Sequence, residues 1–180
     1  MSKKAIIISG NLAQDHEFIY PYYRLLEDEF KIDVCLPDGK EVLGILGTKL
    51  PPNKNQSIKK IEDLIVDNYN LLILPGGVKA MEKIRQDKNI IKFIAEFNQR
   101  KKVIGCICSG AQLLISAKIV KGRKISGYYS MEDDLTNAGA IYTDLPAVID
   151  HNIVTTAHYK DLGPWMRSVL KIFYDNYKKQ

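Results

Sequence analysis

The sequence predicts an α/β fold, a three-layer sandwich in which helices cover both faces of a mostly parallel sheet. Three observations carry this. The strand candidates, residues 4–9, Leu71-Leu-Ile-Leu74 and the run from Val103, are continuously apolar instead of alternating, as strands buried on both faces are. Between them lie stretches whose apolar residues recur at helical spacing. Three strand candidates end in small-residue turns, Ser9-Gly10, Pro75-Gly76-Gly77 and Cys108-Ser109-Gly110, and in open α/β sheets the functional crevice lies at the carboxyl ends of the strands.

The elements follow in order. After the first strand, Phe18 to Leu25 has helical periodicity, and Pro21 within it predicts a helix that begins close to that residue or kinks there. Ile32-Asp-Val-Cys-Leu36 reads as a second strand stopped by Pro37-Asp-Gly39, and residues 41–51 read as one or two short strands around Gly44 and Gly47. The Leu71 strand is next. Asn89 to Asn98 then places Ile90, Ile91, Phe93, Ile94 and Phe97 on one helical face ahead of the Val103 strand. Lys124 to Tyr128 reads as a strand, Met131 to Asn137 as a short helix, and Ala147 to Thr156 as a hairpin-like pair turning at Asp150-His-Asn152. A helix from about Leu162 to Tyr177 closes the chain, with Trp165, Val169, Ile172 and Phe173 as its buried stripe.

With 180 residues, no internal repeat and no linker, residues 1–180 are expected to form a single domain. Hydrophobic residues make up 46% and charged residues 26%, ordinary for a globular protein, and no apolar run approaches the ~20 residues that span a bilayer. The amino terminus has no secretory pattern, and three cysteines do not make a disulfide framework, so a cytoplasmic location with reduced thiols is expected. The net charge of +5 is spread over Lys59-Lys60, Arg100-Lys101-Lys102 and Lys118 to Lys124, without aromatic interleaving, so nucleic-acid binding is not expected. Neither a phosphate loop nor a dinucleotide fingerprint nor a ligand cluster is present, so no cofactor and no metal is expected.

The chemistry concentrates at Val103-Ile-Gly-Cys-Ile-Cys-Ser-Gly-Ala-Gln-Leu-Leu114, where a strand runs into a helix through Cys108. Cys106 and Gly110 flank it at two residues on either side, the spacing of G-x-S-x-G nucleophile turns. The sulfur of such a turn projects past the strand end toward the helix amino terminus, which favours a thiolate. Cys106 is expected to point to the opposite side of its strand, into the core. His16 and His151 read as surface residues.

These residues resemble the ThiJ/PfpI superfamily of cysteine hydrolases, chaperones and stress proteins, in particular its PfpI-type intracellular protease branch. The resemblance rests on six segments in order: Glu17-Phe-Ile-Tyr-Pro21, Leu74-Pro-Gly-Gly77, Cys108 to Leu114, Lys121-Gly-Arg123, Asp133 to Gly139, and Trp165-Met166. It implies a flavodoxin-like, class I glutamine amidotransferase-like domain. It implies that Cys108 is the nucleophile, that Glu17 approaches its sulfur and exchanges protons, and that amides of Gly76, Gly77 and Ser109 form an oxyanion hole. It implies further that Tyr128 lines the pocket, that Glu82 reaches the site of a neighbouring subunit, and that the chain forms a homodimer or a hexamer acting on a small-molecule or peptide substrate.

Two positions depart from the branch. Ser109 stands where His usually follows the cysteine, and Gln14 stands where a second acid usually precedes Glu17 by three residues. Ser109 cannot protonate an amine leaving group at neutral pH, which weakens the protease assignment. His158, after a late strand, is the candidate replacement. The expected function is a cysteine-dependent hydrolase or lyase, peptidase-like, glyoxalase-like or deglycase-like. The alternatives are a redox sensor or stress chaperone built on an oxidisable Cys108, and an inactive binding member.

Overall fold

A computed structural model describes residues 3–177. Eleven strands and six helices follow one another as β1 (Lys4–Ile8), α1 (Asp15–Glu27), β2 (Lys31–Cys35), β3 (Val42–Leu43), β4 (Lys49–Leu50), β5 (Ile58–Lys59), β6 (Leu71–Leu74), α2 (Val78–Ile84), α3 (Lys88–Gln99), β7 (Val103–Ile107), α4 (Ala111–Ser116), β8 (Lys124–Ile125), α5 (Glu132–Asn137), β9 (Ile141–Tyr142), β10 (Val148–Asp150), β11 (Ile153–Thr156) and α6 (Leu162–Tyr177). The main sheet runs β10-β11-β7-β6-β1-β2-β5. Every neighbouring pair in it is parallel except β10 with β11. The three-layer α/β sandwich expected from the apolar runs is therefore the observed fold.

Burial explains the order of the sheet. All four residues of β6 and all five of β7 are buried, so these central strands expose neither face to water. On one side α1 packs on α6, which also lies on β7 and β11; α4 packs on both α2 and α3. Trp165 and Val169 of α6 reach β7 where Gly105 has no side chain to hold them off. The Trp165 indole N–H donates to the Val154 carbonyl at 3.0 Å, so its one polar atom is satisfied inside the core.

Several expectations are corrected. Helix α1 begins at Asp15, with Pro21 inside it and buried. Its start is fixed upstream by Gln14, whose side-chain oxygen accepts the His16 amide at 2.9 Å. Pro21 has no N–H for the Glu17 carbonyl, and the helix absorbs that loss. The strand expected over Lys124 to Tyr128 ends at Ile125, pairing with β9 in a separate sheet. It stops because Gly127 packs so closely that a Cβ there would lie 2.9 Å from Leu135 and 3.0 Å from Ala111. Ile172 is only partly buried, and Met166 and Leu170 complete the stripe of α6. Helix α2, which sequence periodicity does not reveal, follows directly on the Gly76-Gly77 turn.

Candidate active site

Strands β1, β6 and β7 are adjacent and parallel, so their carboxyl ends and the three small-residue turns fall on one edge of the sheet. At the end of β7 the chain makes a 3-10 turn over Cys108–Gly110 before α4 begins. Cys108 sits in the left-handed region at φ 59°, a conformation that costs a non-glycine residue on the order of 1–3 kcal/mol. Gly110 permits it. A Cβ at Gly110 would lie 2.7 Å from the Leu74 carbonyl, 2.9 Å from that of Pro75 and 3.1 Å from the Cys106 sulfur, so any side chain would lift the turn off β6. Cys106 is buried as expected, but it lies beneath this turn, where its charge would be felt by Cys108 and Glu17.

Glu17 reaches the same point from the first turn of α1. Its side chain is fully buried, and Oε2 accepts the Gly76 amide at 2.8 Å. A Cβ on Gly76 would lie 2.4 Å from that oxygen and 3.1 Å from the Cys108 sulfur, so glycine is what allows carboxylate and thiol to meet across the strand end. The Gly76 amide is thus already engaged by Glu17. The Gly77 amide, at φ 103°, has no acceptor among the described residues, and the Ser109 amide faces the sulfur and favours its ionised form.

Protonation at this pair differs from the helix-terminus expectation. Burial, and then the neighbouring Glu17 charge, push the Cys108 thiol up to about 12, against the Ser109 amide. Burial likewise pushes Glu17 up to about 7, against its hydrogen bonds from Gly76 and Cys108. Helix α4 is six residues long and starts three residues past the sulfur, too weak a dipole to outweigh desolvation beside a carboxylate. At neutral pH the thiol therefore keeps its proton while the Glu17 carboxyl is in the middle of its titration. Among the described residues the buried Glu17 Oε1 and Ser109 Oγ atoms have no well-formed hydrogen bond, although both side chains lie near enough to the sulfur to affect its titration.

The sulfur opens into a cleft of about 440 Å³ lined by Glu17, Gly77, Cys108, Ser109, Tyr128 and His158, among others. Among the candidates, Glu82 stays outside it, exposed on α2. An aromatic wall stands on one side: the His158 ring lies 6.2 Å from Tyr128, 6.2 Å from Tyr129 and 4.0 Å from Tyr159. His158 Nδ1 accepts the Lys160 amide at 3.1 Å, which leaves Nε2 to carry the proton of a neutral ring. Among the described residues no group of three His, Cys, Asp or Glu side chains is placed to hold a metal ion, and no helix is long and apolar enough to cross a membrane.

Residues 3–172 match the model of the DJ-1/PfpI family. The chain belongs to that family. Among curated DJ-1/PfpI relatives it is 32% identical to the Pyrococcus furiosus protein named Deglycase PfpI, over 169 residues covering 94% of this chain and 98% of that one. It is 34% identical to the Bacillus subtilis protein named Putative cysteine protease YraA, over 173 residues covering 96% and 99%. The solved structure of Drosophila melanogaster DJ-1beta superposes with a TM-score of 0.83 at 22% identity, covering 97% of this chain and 90% of that one, a likeness of fold.

The DJ-1/PfpI cleft has further walls that the sequence pattern left unassigned: Gln14, Ile45, Val78, Gln112, Ser130, Met131 and Tyr159. Gln112 lies inside the Cys108 to Leu114 segment, one helical turn past the sulfur, and that spacing was the available signal. Ile45 comes from the hairpin of β3 and β4, and nothing local in its sequence points to Cys108.

Proposed function

We propose that the chain is a cysteine-dependent enzyme acting on small electrophilic carbonyl compounds, with Cys108 as nucleophile and Glu17 as its proton-exchange partner. The observation that carries the reading is the buried Glu17 carboxylate, fixed on the Gly76 amide and set against the sulfur of a left-handed turn. Its raised pKa, near 7, suits a group that must accept and return a proton at neutral pH. With an α-oxoaldehyde, the sulfur bonds to the aldehyde carbon as the thiol proton passes to Glu17 and on to the new oxyanion, which the Gly77 and Ser109 amides face. Glu17 then takes the proton from that carbon and delivers one to the neighbouring carbon, while the hydroxyl proton passes from the first oxygen to the second, so that the first becomes the thioester carbonyl and the second the hydroxyl of a 2-hydroxy thioester. Water hydrolyses the thioester, releasing the hydroxy acid and the thiol. The names of the deglycase relatives support carbonyl-adduct chemistry.

Peptide hydrolysis is the weaker fit, because Ser109 replaces the branch's histidine and the protonation of an amine would fall to Glu17 or His158. The test is turnover of methylglyoxal by wild type and Cys108→Ala, followed by lactate formation. The variant is expected to lose activity by at least about 10³-fold with the fold retained; undiminished turnover would overturn the reading. A second reading, a peroxide sensor, draws on the same buried acid, which can donate to an oxidised sulfur, and on a 31% identical relative named General stress protein 18. Selective gain of two oxygens on Cys108 after mild peroxide, read by mass spectrometry, favours it. We also propose a homo-oligomer, since the exposed Glu82 can serve a site only on another subunit; a monomer on light scattering refutes this.

A further inference from the structure

Two glutamines line the cleft with their carbonyl oxygens already committed. Gln112 Oε1 accepts from the Arg85 guanidinium at 3.3 Å, and Arg85 Nε is itself fixed on Ser116 at 3.0 Å. A guanidinium only donates, so the Gln112 oxygen must face it and the NH₂ group faces elsewhere. Gln14 Oε1 accepts the His16 backbone amide at 2.9 Å, again from a group that can only donate. Among the described residues neither amide nitrogen has a protein acceptor, and both side chains border the cleft that holds Cys108. With the Gly77 amide and the aromatic hydroxyls, the walls are rich in donors, and Glu17 is the one carboxylate among them.

We infer that Gln112, held in orientation by Arg85, and Gln14 are substrate-binding donors that engage a carboxylate next to the electrophilic carbon, so that the cleft favours acidic electrophiles such as α-oxo acids. A carboxylate is acceptor-only and offers two oxygens, the complement of two NH₂ groups whose own oxygens are tied back. Gln14 acquires meaning as a departure from its family branch: an acid at that position would repel the same substrate, and the amide attracts it. The inference deepens the proposed function and rests on Cys108 being reachable from this cleft.

Alkylation of Cys108 tests it without requiring turnover. The sulfur displaces iodide from iodoacetate or iodoacetamide, forming the S–C bond as C–I breaks and the thiol proton leaves to solvent through Glu17. Second-order rates for the two reagents are measured by intact mass, with free cysteine as reference. Wild type is expected to show an iodoacetate to iodoacetamide ratio about tenfold above that of free cysteine, the scale of one charge-assisted hydrogen bond. Gln112→Leu and Gln14→Leu bring the ratio down toward the reference. Gln112→Glu, which keeps the Arg85 contact and so guards against misfolding, takes it below. Arg85→Met lowers it as well, by freeing Gln112 to turn. A wild-type ratio equal to that of free cysteine, unmoved by the variants, overturns the donor pair. If the ratio behaves as expected while neither methylglyoxal nor glyoxylate is turned over, the donor pair stands and the enzymatic reading fails.

Discussion

At the scale of single residues, Glu17 decides the most. A carboxyl that titrates near 7 in the folded chain and at its ordinary 4.5 in the unfolded one holds its proton more tightly when folded. Between these values the native state binds more protons than the unfolded state, so stability falls as pH rises from about 4.5 to about 7 and is level above. Glu17→Gln keeps the shape and the acceptor for Gly76 but cannot ionise. Its stability relative to wild type should be near zero difference below pH 4.5 and grow to a gain of about 3 kcal/mol by pH 7, read from urea unfolding across pH. Turnover of methylglyoxal should fall by about 10²–10⁴-fold in the same variant. A pH-independent stability difference would refute the buried-acid account. The position of Cys108 was legible because the turn needs small residues on either side. The direction of its ionisation was not, since burial and the facing carboxylate come from residues distant in the chain.

Among the elements, the short hairpin of β3 and β4 shows how a segment without a sequence signal becomes part of the site. Asp15, nearly fully buried at the start of α1, accepts the Leu46 amide at 2.8 Å and the Thr48 amide at 3.1 Å. Burial pushes its carboxyl up, but these bonds outweigh it and hold the pKa below 3.8. Gly44 lies flat against that carboxylate, where a Cβ would come within 2.5 Å of both oxygens. The clamp brings Ile45 to the cleft while leaving it half exposed. Asp15→Asn places an NH₂ against one of the two amides and should cost about 1–3 kcal/mol. Faster trypsin cleavage at the exposed Lys49 and a raised KM for methylglyoxal should accompany it; an unchanged digestion pattern would show that the hairpin is held by other contacts. Strands β6 and β7 were readable from their apolar runs, and α3 from its periodic face. Helix α2 was not, because its seven residues carry too few turns for a periodicity, and only the Gly76-Gly77 turn before it sets its place.

For the molecule as a whole, the expectation of a single domain makes a claim about cooperativity. Trp165, the sole tryptophan, is fully buried between α6 and the central sheet, with its indole bonded to β11. The same sheet carries β1, β6 and β7, whose ends form the site, and among the described residues nearly all the buried hydrophobic side chains, Val148 and Ala157 aside, form one continuous cluster from Ala5 to Phe173. No boundary in that cluster lets α6 and β11 melt apart from the strands that hold Cys108. Unfolding in urea should therefore be one transition: Trp165 fluorescence, far-ultraviolet dichroism and the rate of Cys108 alkylation should share a midpoint. Exposure of the thiol at lower urea than the tryptophan would mean that the cleft opens as a unit of its own, and the single-domain reading would give way to a rigid sheet with a separately stable catalytic edge.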